Sequence, residues 1–129
     1  METDPIIIKI PIRLISEANN TDFWRVKWKR KKNNELLLKS YFNHAKVKAE
    51  PPCDVTLCRI APRELDEEDN LRTAFKPIKD WIADRIIPGL APGRADGDKR
   101  IKWHYTQEKG KILEYAIKIT IQCYPNQPK

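Results

Sequence analysis

The residues best suited to chemistry form one run, Asp66-Glu67-Glu68-Asp69-Asn70, just ahead of an apolar-periodic segment that begins at Leu71. Helix starts favour Asp and Glu because free backbone N–H groups there carry partial positive charge. Capping needs one or two acids. Four in succession repel one another, and a bound cation relieves that repulsion. A hard divalent ion such as Mg2+ takes oxygen ligands of this kind. The same residues also suit a plain solvated helix start. A second acidic pair, Asp96-Gly97-Asp98, precedes a later strand pattern. If that strand pairs beside the strand preceding the first run, both acidic sites are expected at one end of a sheet. Asp-Gly is also an ordinary turn sequence. Lys76 follows in the helical segment, placed to meet a phosphate or a leaving oxygen, or simply to face solvent.

Other chemistries find little support. The only histidines are His44 and His104, and the three cysteines, Cys53, Cys58 and Cys123, form no C-x-x-C pair. A structural zinc site wants four closely spaced Cys or His ligands. Reduced thiols in a reducing compartment are the expectation, and no Ser/His/Asp or Cys/His arrangement stands out. Four glycines in all leave no glycine-rich phosphate loop. Any metal would be a hard one held by carboxylates.

Charge is distributed in blocks. Residues 1–50 carry a net +5, residues 51–84 a net −3 and residues 85–129 a net +5, within a total of +7. A basic chain suits a polyanionic partner. An acidic block inside it is of no use to a plain DNA-binding module, because carboxylates repel phosphate. A nuclease uses such acids to hold the divalent ion that holds the phosphate. The basic candidates are Lys27, Lys29, Arg30, Lys31 and Lys32 in the first half, and Arg94, Lys99, Arg100 and Lys102 in the second. Trp24 and Trp28 among the first group could stack on bases or anchor the helix to a core.

These groups must be positioned by few elements, because 129 residues, 40% of them hydrophobic, make about one domain, taken as 1–129. Ile8, Ile10, Ile12 and Leu14 alternate with polar neighbours and predict a strand, with Pro11 arguing for an edge. Phe23 to about Val47 predicts a helix that Asn33-Asn34 could break. Val55 to Ala61 alternates again. Leu71, Ala74, Phe75, Ile78, Ile82 and Ile86 recur at helical spacing, with Pro77 on the opposite face, where it frees a carbonyl near Thr73. Ile101, Trp103 and Tyr105 alternate, as do Tyr115, Ile117, Ile119, Ile121 and Cys123. Glu108-Lys109-Gly110 reads as a turn joining these last two strands as antiparallel neighbours. The expected fold is α+β, a small mixed sheet of about four strands with two main helices, in the order β-α-β-α-β-β. No apolar run approaches the roughly 18 residues of a membrane span, and the N-terminus lacks a secretory pattern. A cytoplasmic protein is expected.

The pattern resembles the RusA-like family of phage and prophage Holliday junction resolvases. The resemblance rests on Arg63, on Leu65 through the acids to Asp69-Asn70-Leu71, and on Lys76 and Asp80. It continues through Asp96-Gly97-Asp98, Arg100-Ile101, Trp103, Tyr105, Gln107 and Lys109-Gly110, and so covers about residues 53–123. It implies a Mg2+-dependent, homodimeric endonuclease that resolves four-way DNA junctions in recombination and repair, encoded by a phage or prophage and acting in the bacterial cytoplasm. Asp69 takes the place of the family's central metal-binding aspartate. Glu67 falls where a second aspartate is usual. Lys76 matches the helix lysine. Asp96 falls where the downstream catalytic aspartate is expected, with Asp98 as the alternative metal ligand. The family's downstream Asp-Asp pair appears here as Ala95-Asp96, and the acidic run has one extra acid. Two other functions fit the composition: a phage-type DNA-binding protein without catalysis, and a small domain that binds an acidic protein.

Overall fold

The computed structural model describes residues 4–14, 24–63, 69–89 and 97–124, and for 69 and 70 the backbone only. The elements run β1 (Ile6–Ile10), α1 (Trp24–His44), β2 (Cys53–Ala61), α2 (Asp69–Ile86), β3 (Ile101–Lys109) and β4 (Ala116–Cys123). The fold is therefore α+β, with two helices and a four-stranded mixed sheet in the expected order. The sheet order is β1-β4-β2-β3. β4 is antiparallel to both β1 and β2, and β3 is parallel to β2.

Strand alternation decides which face each side chain meets. Val55, Leu57, Ile117, Ile119, Ile121, Ile8 and Ile10 project to the face that the helices cover, and all are buried. From α1, Leu38 and Phe42 enter this core. From α2 come Leu71, Ala74, Phe75, Ile78, Ile82 and Ala83. Phe42 meets Trp81 edge-on, with centroids 5.0 Å apart, and so joins the two helices. Among the described residues, the opposite face of the sheet has only Cys58, Ile60 and Ala116 as a small buried patch. Around them Lys9, Thr56, Lys102, His104 and Thr106 lie at least partly open to solvent.

Several local expectations meet corrections. α1 is one continuous helix through Asn33-Asn34. Its Trp24 and Trp28 are 71% and 58% exposed, so they are not core anchors. They sit instead beside Arg25 and Lys32, whose cationic groups lie 5.5 and 5.8 Å from the rings. β1 ends at Ile10, before Pro11, and lies at a sheet edge as the proline argued. Pro77 lies inside an unbroken α2.

The largest correction concerns β3 and β4, which are not a hairpin, because β2 lies between them. The reason is burial. β2 and β4 alternate into the core along their whole length, so the two central places fall to them. β3 presents Lys102, His104, Thr106 and Glu108 on the open face, and charged residues of this kind suit an edge strand. The chain leaves β3 through Gly110, whose N–H bonds the Ala61 carbonyl at 2.8 Å, and crosses the end of β2 to reach β4.

Candidate functional site

The acidic run lies between the end of β2 and the start of α2. Asp66, Glu67 and Glu68 fall outside the described residues, and Asp69 is the first residue of α2. Helical spacing sets position 69 on the face that carries Arg72, Thr73, Lys76 and Asp80. Arg72, Thr73, Lys76 and Lys79 line a groove of about 380 Å3 with Tyr105 of β3. The Lys76 Nζ donates to the Asp80 carboxylate at 3.1 Å. The Arg72 guanidinium lies 5.5 Å from the Tyr105 ring centre, and the Lys79 ammonium 5.4 Å from that of Trp103. Two cations of one helix, Arg72 and Lys79, thus sit over two aromatic rings of the neighbouring strand, with Lys76 between them in the groove lining. Pro77 has no N–H to offer the Thr73 carbonyl, so this acceptor lacks the usual helix bond.

The same contacts give the direction of α2. Passing from Lys79 back to Arg72, the neighbour on β3 changes from Trp103 to Tyr105, away from Ile101. Asp69 lies ten residues before Lys79, ~15 Å along the helix. Asp98 lies beyond Ile101 on the other side, its carbonyl accepting from the Ile101 N–H at 3.2 Å. β3 does pair beside β2, but in parallel, so the start of β3 stands by Cys53 and not by Ala61. Asp69 and Asp98 therefore do not meet at one end of the sheet. Carboxylates sharing one Mg2+ must each bring an oxygen to ~2.1 Å of it, and the backbone sets Asp69 and Asp98 much further apart.

Asp98 is also engaged with Arg100. The Arg100 N–H and Nε donate to Oδ1 at 2.9 and 3.0 Å, and Nη2 donates to Oδ2 at 2.9 Å. The Arg100 side chain, followed by its backbone N–H, holds the Asp98 carboxyl down at about 2. A lowered folded-state value favours the charged form. The stabilisation is present above the ordinary carboxyl range and fades as pH falls through about 2. In a carboxyl-carbon NMR titration Asp98 should therefore show a midpoint near 2, and Arg100→Ala should move it up toward roughly 3.9. An unchanged midpoint in the variant would overturn this pairing.

The expected DNA-binding residues divide between surfaces. Lys27, Lys29, Arg30, Lys31 and Lys32 lie on α1, in the helix layer. Lys27, Arg30 and Lys31 line a groove of about 210 Å3 together with Trp28 and with Ala74, Pro77 and Ile78 of α2. Lys102 projects from the open face of the sheet, as does His104. Lys99 and Arg100 are exposed at the turn before β3. Glu67, Arg94 and Asp96 fall outside the described residues. His44 closes α1 and is exposed.

Three cations lay outside the sequence expectation. Arg72 and Lys79 join the Lys76 groove, and the signal was their places four residues before and three residues after Lys76 on a helix. Arg59 is 8% exposed near the end of β2, from which the acidic run departs. Its Nη1 donates to the Arg63 carbonyl, while its Nε has no partner among the described residues. Burial lowers its pKa, with Arg13 adding to the effect. Its signal was an arginine at an inward position of an alternating strand.

Among the described residues no three His, Cys, Asp or Glu side chains gather to hold a metal ion. The hard carboxylate oxygens of the acidic run match Mg2+ chemistry, whereas Asp98 with its Arg100 does not. No protein-family model matches the chain, and no curated protein matches it either. No helix among the described residues is long and apolar enough to cross a membrane.

Proposed function

We propose that this chain is a Mg2+-dependent endonuclease that cuts four-way DNA junctions by phosphodiester hydrolysis. The observation that supports this most is the entry of the acidic run into α2 beside the groove of Arg72, Thr73, Lys76 and Lys79. Glu67 and Asp69 are the residues that would hold Mg2+, whose chemistry is to acidify a water and neutralise phosphate charge. Mg2+ commonly takes one or two carboxylates and keeps several waters, so the reading needs neither Asp98 nor Asp96. Arg72 and Lys79 hold the scissile phosphate against Tyr105 and Trp103. Lys76 leaves Asp80 for the phosphate and stabilises charge developing on the leaving oxygen. Lys27 to Lys32 grip flanking phosphates. A two-fold dimer suits a substrate that needs two symmetric cuts, and the resemblance to phage and prophage resolvases implies work in a bacterial cytoplasm.

A synthetic four-way junction, with a linear duplex of equal length as control, tests the proposal with and without Mg2+. Cutting of the junction alone, and only with Mg2+, is the expected result. Junction binding without cutting supports the second reading, a DNA-binding protein. The exposed Trp24 and Trp28 among the α1 cations favour that reading in particular. Equal binding to both DNAs removes junction recognition altogether and leaves the reading of an acidic protein partner. Affinity is expected to fall steeply with salt, by a logarithmic slope of roughly 0.9 for each phosphate neutralised. Lys76→Ala should reduce that slope by about 1, and an unchanged slope would take Lys76 out of the phosphate contacts.

A further inference from the structure

We propose that Cys53 and Cys123 are a redox modification site, at which a small peroxide drives closure of a reversible disulfide between β2 and β4. The two residues stand directly opposite in the antiparallel register, and their sulfurs are 3.2 Å apart. The Tyr124 N–H donates to the Pro52 carbonyl at 2.9 Å, which makes the 52/124 pair the hydrogen-bonded one. Cys53 and Cys123 thus occupy the next, non-hydrogen-bonded position, where Cα atoms approach to ~4.5 Å. That separation lies inside the range disulfides span. The Cys53 thiol also reaches the Glu50 carbonyl at 3.1 Å, which leaves its sulfur to accept from Cys123.

Position in the fold separates this pair from the third thiol. Cys53 and Cys123 have the parity of the helix-covered face, and Cys58 has that of the open face. Cys53 also lines a surface cavity of about 260 Å3 with Asp54, Arg100 and Tyr124, which admits an oxidant as small as hydrogen peroxide. Burial, then Cys123, pushes the Cys53 thiol far above its ordinary value. Thiolate is scarce, and the reaction is slow.

The chemistry balances in two steps. The Cys53 sulfur attacks one peroxide oxygen, the O–O bond breaks, water departs and a sulfenic acid remains. The Cys123 sulfur then attacks the Cys53 sulfur, the S–S bond forms, the S–O bond breaks and a second water departs. Two electrons pass from the thiols to the peroxide, and the two thiol protons leave in the waters. The new bond closes a long loop and restricts the unfolded chain. The oxidised protein should therefore melt roughly 10 °C higher than the reduced one.

The test is hydrogen peroxide treatment of the reduced, folded protein, then thiol counting, intact mass and peptide mapping. The expected result is loss of two of the three thiols, a mass lower by two hydrogens and a linked pair of peptides holding Cys53 and Cys123. Dithiothreitol should restore all three thiols, and Cys58→Ser should close the same bond. Three thiols persisting, Cys58 alone reacting, chains joining to one another or Cys53 running on to sulfinic acid would each overturn the proposal. Mapping on the wild-type chain keeps the test intact if a Cys123→Ser variant fails to fold.

Discussion

Asp69→Asn should abolish junction cutting while leaving junction binding nearly unchanged. Aspartate and asparagine are close in shape and similarly accepted at helix starts, so α2 should still begin at this position. The change removes one negative charge from the place where the proposed function puts Mg2+. Losing an outer-shell partner of a metal ligand alone costs about 10- to 100-fold in affinity or activity. Loss of a direct carboxylate should therefore exceed about 100-fold in the cutting rate at limiting Mg2+. The proposed function rests binding on Arg72, Lys79 and the α1 cations, which the change does not touch. Single-turnover cleavage beside a gel-shift titration separates the two effects. Glu67→Gln should lose cutting in the same way. Wild-type cutting by Asp69→Asn would remove Asp69 from the metal site, whatever the fate of the nuclease reading.

Phe42→Ala should produce the largest loss of stability. Phe42 is fully buried and meets Trp81 at 84°, with Arg85 stacked 5.6 Å from its ring. It connects α1 to α2 above the sheet. Phe-to-Ala changes at such sites cost about 3–5 kcal/mol, from lost transfer energy plus the cavity left behind. That is a large share of the roughly 5–15 kcal/mol by which domains are stable. The melting temperature should fall by roughly 10–20 °C. Denaturant unfolding checks the cost, and an unaltered slope against denaturant would show that compactness is retained. A loss under about 1 kcal/mol would mean that the helices do not depend on this contact. Because α2 begins with Asp69, such a variant should also weaken cutting by loosening the helix.

The proposed metal site was only partly legible in the sequence. The acids at 66–69 and Lys76 could be read as one unit, because helical spacing is local and puts 69 and 76 on one face. The link to Asp98 could not be read. Neither the adjacency of β3 to β2 nor its direction follows from their apolar patterns. Antiparallel pairing would have brought the start of β3 to the end of β2, and parallel pairing puts it at the far end. Asp98 then serves Arg100, two residues along. Trp24 and Trp28 show the same limit, because aromatic residues on a basic helix suit a core or a surface equally well.

The sequence by itself determined the six elements, their kinds and most of their inward residues, because side-chain periodicity is a property of a few consecutive residues. It also determined that the chain is basic at both ends and acidic between. Only the tertiary structure decided that β2 separates β3 from β4, that β3 runs parallel to β2, and that Cys53 meets Cys123 across 70 residues of sequence. Those outcomes depend on which strands bury both of their neighbours' edges and which are left outside. That is a competition among all the surfaces of the chain at once, and no single segment records it.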